Sequence, residues 1–149
     1  ALLGRIETVV VGGMTGRIAA AGPGAADRLV AFMHGQAQLG VESAEDVLLL
    51  ILMSLEFAGT GGPVEARIRA LYDRLYKAIE AIIATGKRRG EFRADLRARE
   101  QAAIVMALHD GTFLEWYRRR SALDGPELVR ALRTTMLAGL LRAPAAETH

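Results

Sequence analysis

The chain has 149 residues, enough for one domain with a substantial core, and 51% of them are apolar against 24% charged, which excludes a disordered segment. Nineteen Lys and Arg against seventeen Asp and Glu leave a net charge of +2, too balanced for a module that grips nucleic acid by a dense basic face. There is no cysteine, so disulfides and thiolate metal sites are excluded; the longest apolar run, Val47–Leu55, is far short of a bilayer span and no secretory signal is visible, so a cytoplasmic location is expected.

The chain opens Ala1-Leu2-Leu3 inside a helical pattern, without Met or an N-terminal cap, as a fragment or processed chain would. The pattern predicts a first helix over about 2–21, with Leu2, Ile6, Val9, Val10 and Gly13 as its inward stripe, ended by Ala21-Gly22-Pro23-Gly24. A second follows over about 25–39 with Leu29, Phe32, Met33 and Gln36 on one face. Ser43 with Glu45 and Asp46 marks the start of a third, about 44–58, apolar nearly all round and so expected to be buried on most sides. Gly59–Pro63 is a loop, and Pro63 suits the first turn of a fourth helix, about 64–85, whose Ile68, Leu71, Tyr72, Leu75, Ile79, Ile82 and Ile83 keep strict helical spacing and whose C-terminal cap is expected at Gly86. A fifth helix covers about 97–120, Asp124-Gly125-Pro126 breaks the chain, and a sixth covers about 126–142. Residues 143–149 are expected to be a flexible tail. The basic triplets Lys87–Arg89 and Arg118–Arg120 fall near helix ends, where cations complement the helix dipole.

The fifth helix has two apolar faces. Val105, Met106, His109, Phe113, Trp116 and Tyr117 fall on one, while Ile104, Ala107, Leu108, Gly111 and Leu114 fall on the other, where several are small. The sixth repeats the arrangement: Leu128, Val129, Leu132, Met136 and Leu140 form a broad face, and Ala131, Thr135 and Ala138 a small-residue stripe. Two adjacent helices with spare apolar faces predict a four-helix interface with a second copy of the chain. The expected fold is therefore all-α, a six-helix domain whose last two long helices form a dimer interface.

The segment Gly86-Lys87-Arg88-Arg89-Gly90-Glu91-Phe92-Arg93-Ala94-Asp95 resembles the link before the dimerisation helices of TetR-type transcriptional regulators, with its Gly-Glu-apolar-Arg-x-Asp run. Leu108-His109-Asp110-Gly111, followed by Phe113 and Trp116, is similar to the Asp-Gly signature of their first dimerisation helix, and Leu128–Leu141 with Gly139 to their last. The resemblance spans nearly the whole chain. It implies that residues 1–149 are a C-terminal ligand-binding and dimerisation domain. Residues 1–21 would form the helix that follows an N-terminal helix-turn-helix head, which is missing from this sequence. It further implies a bacterial repressor in which a small-molecule effector controls operator binding, with operator DNA contacted only through that head. Effector contacts differ among members, so the resemblance transfers no ligand residue.

A pocket is instead read from residue types. Phe32, Met33 and Gln36 on the second helix, Met53 and Phe57 on the third, Tyr72 and Tyr76 on the fourth, and Met106, His109, Phe113 and Trp116 on the fifth combine aromatic and thioether surface with a few polar tips. That composition suits a mostly apolar or aromatic ligand, although plain core packing accounts for any one of them. His109 and Asp110 are helix neighbours pointing about 100° apart, so they form no dyad, and no serine or cysteine completes a triad. His34 and His109 lack metal-site spacing, Glu56 reads as solvent-facing or paired with a nearby Arg, with a counter-ion for a cationic ligand as the alternative, and Gly12, Gly13 and Gly16 follow no strand and so form no phosphate loop. No enzyme activity, metal, cofactor or membrane association is expected. The competing reading is an unrelated helical homodimer that serves as a protein–protein interaction module.

Overall fold

The computed structural model describes residues 2–143; the expected flexible tail, save Ala143, lies outside them. The first helix begins as α1 (Leu2–Glu7), passes through a π turn (Thr8–Gly12) and continues as α2 (Gly13–Ala20). There follow α3 (Ala25–Glu42), α4 (Ala44–Glu56), α5 (Pro63–Arg88), α6 (Ala98–Arg118) and α7 (Gly125–Leu140). Counting the divided first helix once, this is the expected all-α fold of six helices. Among the described residues the only strand-like pairing is a bridge between Phe92 and Leu141, and no helix is long and apolar enough to cross a membrane.

The π turn changes which residues of the first helix face inward. Ile6, Val10 and Met14 are buried and Ile18 is half-buried, while Val9 and Gly13, expected on the inward stripe, face outward. Side chains repeating every four residues drift by about 40° per step on an α-helix. The wider π turn absorbs part of that drift and keeps Ile6, Val10 and Met14 in line. Ion pairs from Arg5 to Asp46 (2.8 Å) and from Arg67 to Glu7 (2.7 Å) tie α1 to α4 and α5.

The core lies where α3, α5 and α6 meet. Phe32, Leu29, Leu71, Ile79 and Ile83 are wholly buried there, together with Phe92 from the α5–α6 link. The inward stripe of α5 is the one its spacing predicts, except that Tyr72 is only half-buried. Glu65, in the first turn of α5, accepts the backbone N–H groups of Gly59 (2.9 Å) and Gly61 (2.6 Å) and pairs with Arg69, which fixes the α4–α5 loop. The first of those backbone bonds is the main reason its carboxyl is held below the usual range.

Two further expectations need correction. Gly86 does not end α5, which runs on to Arg88; the left-handed residue is Gly90, at φ +73°. Gly86 is small because Phe92 lies on it: a Cβ there would sit 2.3 Å from the ring. The second concerns α4. Its Leu50 and Ile51 are buried, but Leu52 is 53% and Leu55 71% exposed, because only α1, α3, α5 and α6 pack against it and they leave one side open.

The Gly-Glu-apolar-Arg link acquires a structural purpose. Glu91 Oε2 accepts the Ala25 N–H at 2.7 Å and so caps α3 from a distance of sixty-six residues. Arg93 N–H donates to Leu140 O (2.9 Å) and Arg142 N–H to Glu91 O (3.2 Å), joining the link to the end of α7. Two of the basic triplet before it brace the chain nearby: Lys87 donates to Leu96 O in the link and Arg89 to Pro23 O before α3 at 2.7 Å, while Arg88 donates to Thr85 Oγ1 within α5.

Candidate functional site

A cleft of about 610 Å³ lies between the C-terminal half of α3, the C-terminal half of α6 and the first half of α7. Its existence follows from how α7 is attached. Met136 and Leu140 bury the far side of α7 in the core, and Leu132 stands between core and cleft. At its start, Pro126 occupies the first turn and the Asp124 carboxylate accepts the Glu127 N–H at 2.9 Å, so α7 begins abruptly beside Trp116. Leu128 and Val129 are left only half-buried and form the cleft's outer wall.

The aromatic wall is locked in place. Phe113 packs on Gly40, where a Cβ would come within 3.0 Å of the ring, and lies 6.2 Å from Trp116 and 5.9 Å from Tyr117 between centroids. The Arg120 guanidinium stands 4.3 Å over Tyr117 and 5.3 Å from Trp116, covering the end of the cluster. Arg118 pairs with Glu115.

Three neutral polar groups face this apolar surface. Gln36 is 8% exposed and its amide makes no hydrogen bond among the described residues; the same holds for Thr112 and His109. His109 lies edge-on to Phe32 at 6.5 Å, and burial pushes its imidazole down to about 4, so at neutral pH it offers one donor and one acceptor. At the mouth stand His34, Gln38, Arg130 and Arg133. Arg130 is held by Glu127, while Gln38 bridges Arg17 (2.7 Å) and Glu42 (2.5 Å).

The eleven residues picked out from the sequence are divided by the fold. Gln36, His109, Phe113 and Trp116 line the cleft. Phe32, Met33 and Met106 lie in the core behind it, each at most 3% exposed. Met53, Phe57 and Tyr72 border a separate shallow groove of about 190 Å³ between α4 and α5, and Tyr76 stacks beside Tyr72 at 6.1 Å. Asp110 faces that side and not His109's. Desolvation raises its carboxyl to about 6, and burial, reinforced by the Asp110 charge, raises both tyrosine hydroxyls. The α7 wall and Val41 were not picked out; Leu128, Val129 and Leu132 were legible as apolar, but nothing in their spacing says that they border a void.

The cleft can bind but has no evident chemistry. His109 has no carboxylate partner, and among the described residues no three His, Asp or Glu side chains converge on a metal-sized point. On the opposite side of α6, Ile104, Ala107 and Gly111 are exposed and Leu108 and Leu114 half-buried; on α7, Ala131, Thr135 and Ala138 are exposed.

A family model described as the tetracyclin repressor-like C-terminal domain matches residues 49–136. The crystal structure of the MbdR regulator from Azoarcus sp. CIB superposes with a TM-score of 0.84 at 46% identity, over 95% of this chain and 74% of that one. A TetR transcriptional regulator from Chloroflexus aurantiacus J-10-FL matches with a TM-score of 0.72 at 18% identity, over 95% of this chain and 70% of its own. The fatty acid degradation regulator FadR from Bacillus halodurans matches with a TM-score of 0.74 at 16% identity, over 93% and 69%. At those last two identities the likeness is one of fold. None of the curated proteins matches the chain.

Proposed function

Because this chain belongs to the TetR family of transcriptional regulators, as the C-terminal domain that senses an effector and dimerises, we propose that its effector site is the cleft between α3, α6 and α7. One observation carries the proposal: Gln36, Thr112 and His109 hold unspent donors and acceptors inside an apolar, aromatic wall. Unpaired neutral polar groups in a largely apolar cavity fit a mostly apolar or aromatic molecule with one or two polar atoms. Phe113, Trp116, Leu128 and Val129 would supply contact area, and Gln36 and His109 would orient the polar end.

The dimer is built on the outward faces of α6 and α7. Ile104, Ala107, Gly111, Ala131, Thr135 and Ala138 are exposed on two packed helices, and the small size of Ala107, Gly111, Ala131 and Ala138 lets a second pair approach closely. The cleft touches both of these helices, so a ligand wedged there would bear on the interface. It also touches α3, whose Gln38 receives a hydrogen bond from Arg17 of α2, while Gly35 makes room for the Arg17 stem. That contact gives the effector a direct route to the first helix. Operator DNA would be read by a helix-turn-helix head connected through this helix. A coupling of this kind is typically worth ~1–3 kcal/mol and is reciprocal, operator weakening effector as effector weakens operator.

Trp116 is the sole tryptophan of this chain, and its fluorescence reports the cleft directly. Aromatic carboxylic acids and hydrocarbons would be screened for release of operator from the regulator, with Trp116 emission followed in parallel. An effector that releases DNA should perturb Trp116 and lose affinity in Phe113→Ala. Release with unchanged emission and unchanged affinity in that variant would place the site elsewhere.

A further inference from the structure

A second groove, of about 390 Å³, runs between α2 and α5 over the N-terminal turn of α3, and shares no lining residue with the cleft. It is open because Ala19, Ala78 and Ala81 stand where α2 and α5 face each other, too short to meet across the gap. Met14, Ile18 and Ile82 make its inner wall apolar.

The one ionisable group lining it is Arg28. Arg28 is half-buried, and its Nε is shut off from solvent without a hydrogen-bond acceptor, the one buried side-chain atom so orphaned among the described residues. The guanidinium enters none of the ion pairs found among those residues. Of the carboxylates on this side, Glu91 caps Ala25, and Asp27, the preceding residue, enters no ion pair with Arg28. A buried charged donor without an acceptor is costly, and an acceptor supplied from outside removes that cost. Two hydroxyls line the same groove with capacity to spare. Thr15 donates to Val11 O (3.0 Å) and can still accept, and Thr85 accepts from Arg88 (3.0 Å) and can still donate.

We propose that this groove is a second binding site, for a monocarboxylate with a short apolar body. Its carboxylate would engage Arg28, whose planar fork accepts such a group in two-point fashion, and its hydrocarbon would cover Met14, Ile18 and Ile82. A single cation favours a single negative charge over a phosphate dianion. Because α2 forms one wall, the ligand would brace α2 against α5, independently of whether the effector cleft is read correctly.

Octanoate serves as the probe, titrated calorimetrically into the purified protein, with 1-octanol as the uncharged match. Octanoate should bind, and octanol should bind more weakly by roughly tenfold or more, the loss expected for one hydrogen bond to a charged group. Arg28→Gln should weaken octanoate to a similar degree, Ala78→Leu should block it by filling the groove, and Trp116→Ala, in the cleft, should leave it unchanged. Arg28→Gln should also melt no earlier than wild type, since it removes a charge that has no partner in the free protein. Absent binding, equal binding of octanol, or octanoate binding that survives Arg28→Gln but is lost in Trp116→Ala would overturn the proposal. So would earlier melting of Arg28→Gln, which would make the guanidinium a structural group.

Discussion

Gly86→Ala tests the packing of the link against α5. The new methyl would sit 2.3 Å from Phe92 Cδ2, 2.7 Å from Cε2 and 2.9 Å from the Ala25 Cβ, where carbon atoms normally rest ~3.5–4.0 Å apart. The ring would have to withdraw by more than an ångström. Phe92 is 1% exposed, and its backbone is pinned, with Phe92 N–H on Gly86 O at 3.1 Å and Arg93 N–H on Leu140 O at 2.9 Å. Overpacking costs ~1–3 kcal/mol, and a site pinned this firmly belongs at the upper end; exchanging glycine for alanine in a helix returns ~1 kcal/mol, leaving a net loss of about 2 kcal/mol. For a domain of this size that lowers Tm by about 4–8 °C. Gly16→Ala is the matched control, because a Cβ there meets nothing within 4 Å; it should gain ~0.5–1 kcal/mol from propensity alone. Thermal melts of both, and of Gly86→Ala combined with Phe92→Leu, complete the test, the double variant recovering part of the loss. If Gly86→Ala melts at or above wild type, as Gly16→Ala should, Phe92 does not dictate the glycine.

Three further outcomes are expected. The pH dependence of stability contains two opposed contributions on adjacent residues. Asp110, raised to about 6, contributes stability that is full below its unfolded value of 3.8 and is lost as pH rises through about 6; His109, lowered to about 4, contributes stability present above 6.5 and lost as pH falls through about 4. In denaturant titrations Asp110→Asn should therefore lose up to ~2–3 kcal/mol on acidification from neutral pH, and His109→Gln should gain, while wild type changes less than either; parallel profiles for all three would refute the assignment. Gly111→Trp should leave the monomer's melt intact, since a Cβ there meets nothing within 4 Å, yet convert the sedimenting species to monomer; an undisturbed dimer would move the interface away from α6. Glu91→Gln, which weakens the remote cap of α3, should cost ~1–2 kcal/mol, read from the urea midpoint, with a neutral result showing the cap to be dispensable.

What the sequence by itself determined is local. Pro63, the Asp124-Gly125-Pro126 break and the three- and four-residue spacing of apolar side chains decide where five of the helices run, because capping and periodicity act within a few turns. The two-faced character of α6 was legible for the same reason, and with it Phe113, Trp116 and His109, which line the cleft together with Gln36 of α3. Tertiary structure decided what stands opposite each face. Phe32, Met33 and Met106 carry the same chemistry as the cleft residues, yet α5 and α6 close over them, whereas α7 leaves Leu128 and Val129 beside open space. Leu52 and Leu55 of α4 look like core but stand exposed, Gly86 looks like a cap but yields to a ring six residues away, and the π turn moves Val9 and Gly13 out of the stripe. Periodicity sets the direction of a side chain about its own helix axis; a cavity, an orphaned guanidinium or a close approach depends on the volume that neighbouring helices leave over, and no single helix encodes that volume.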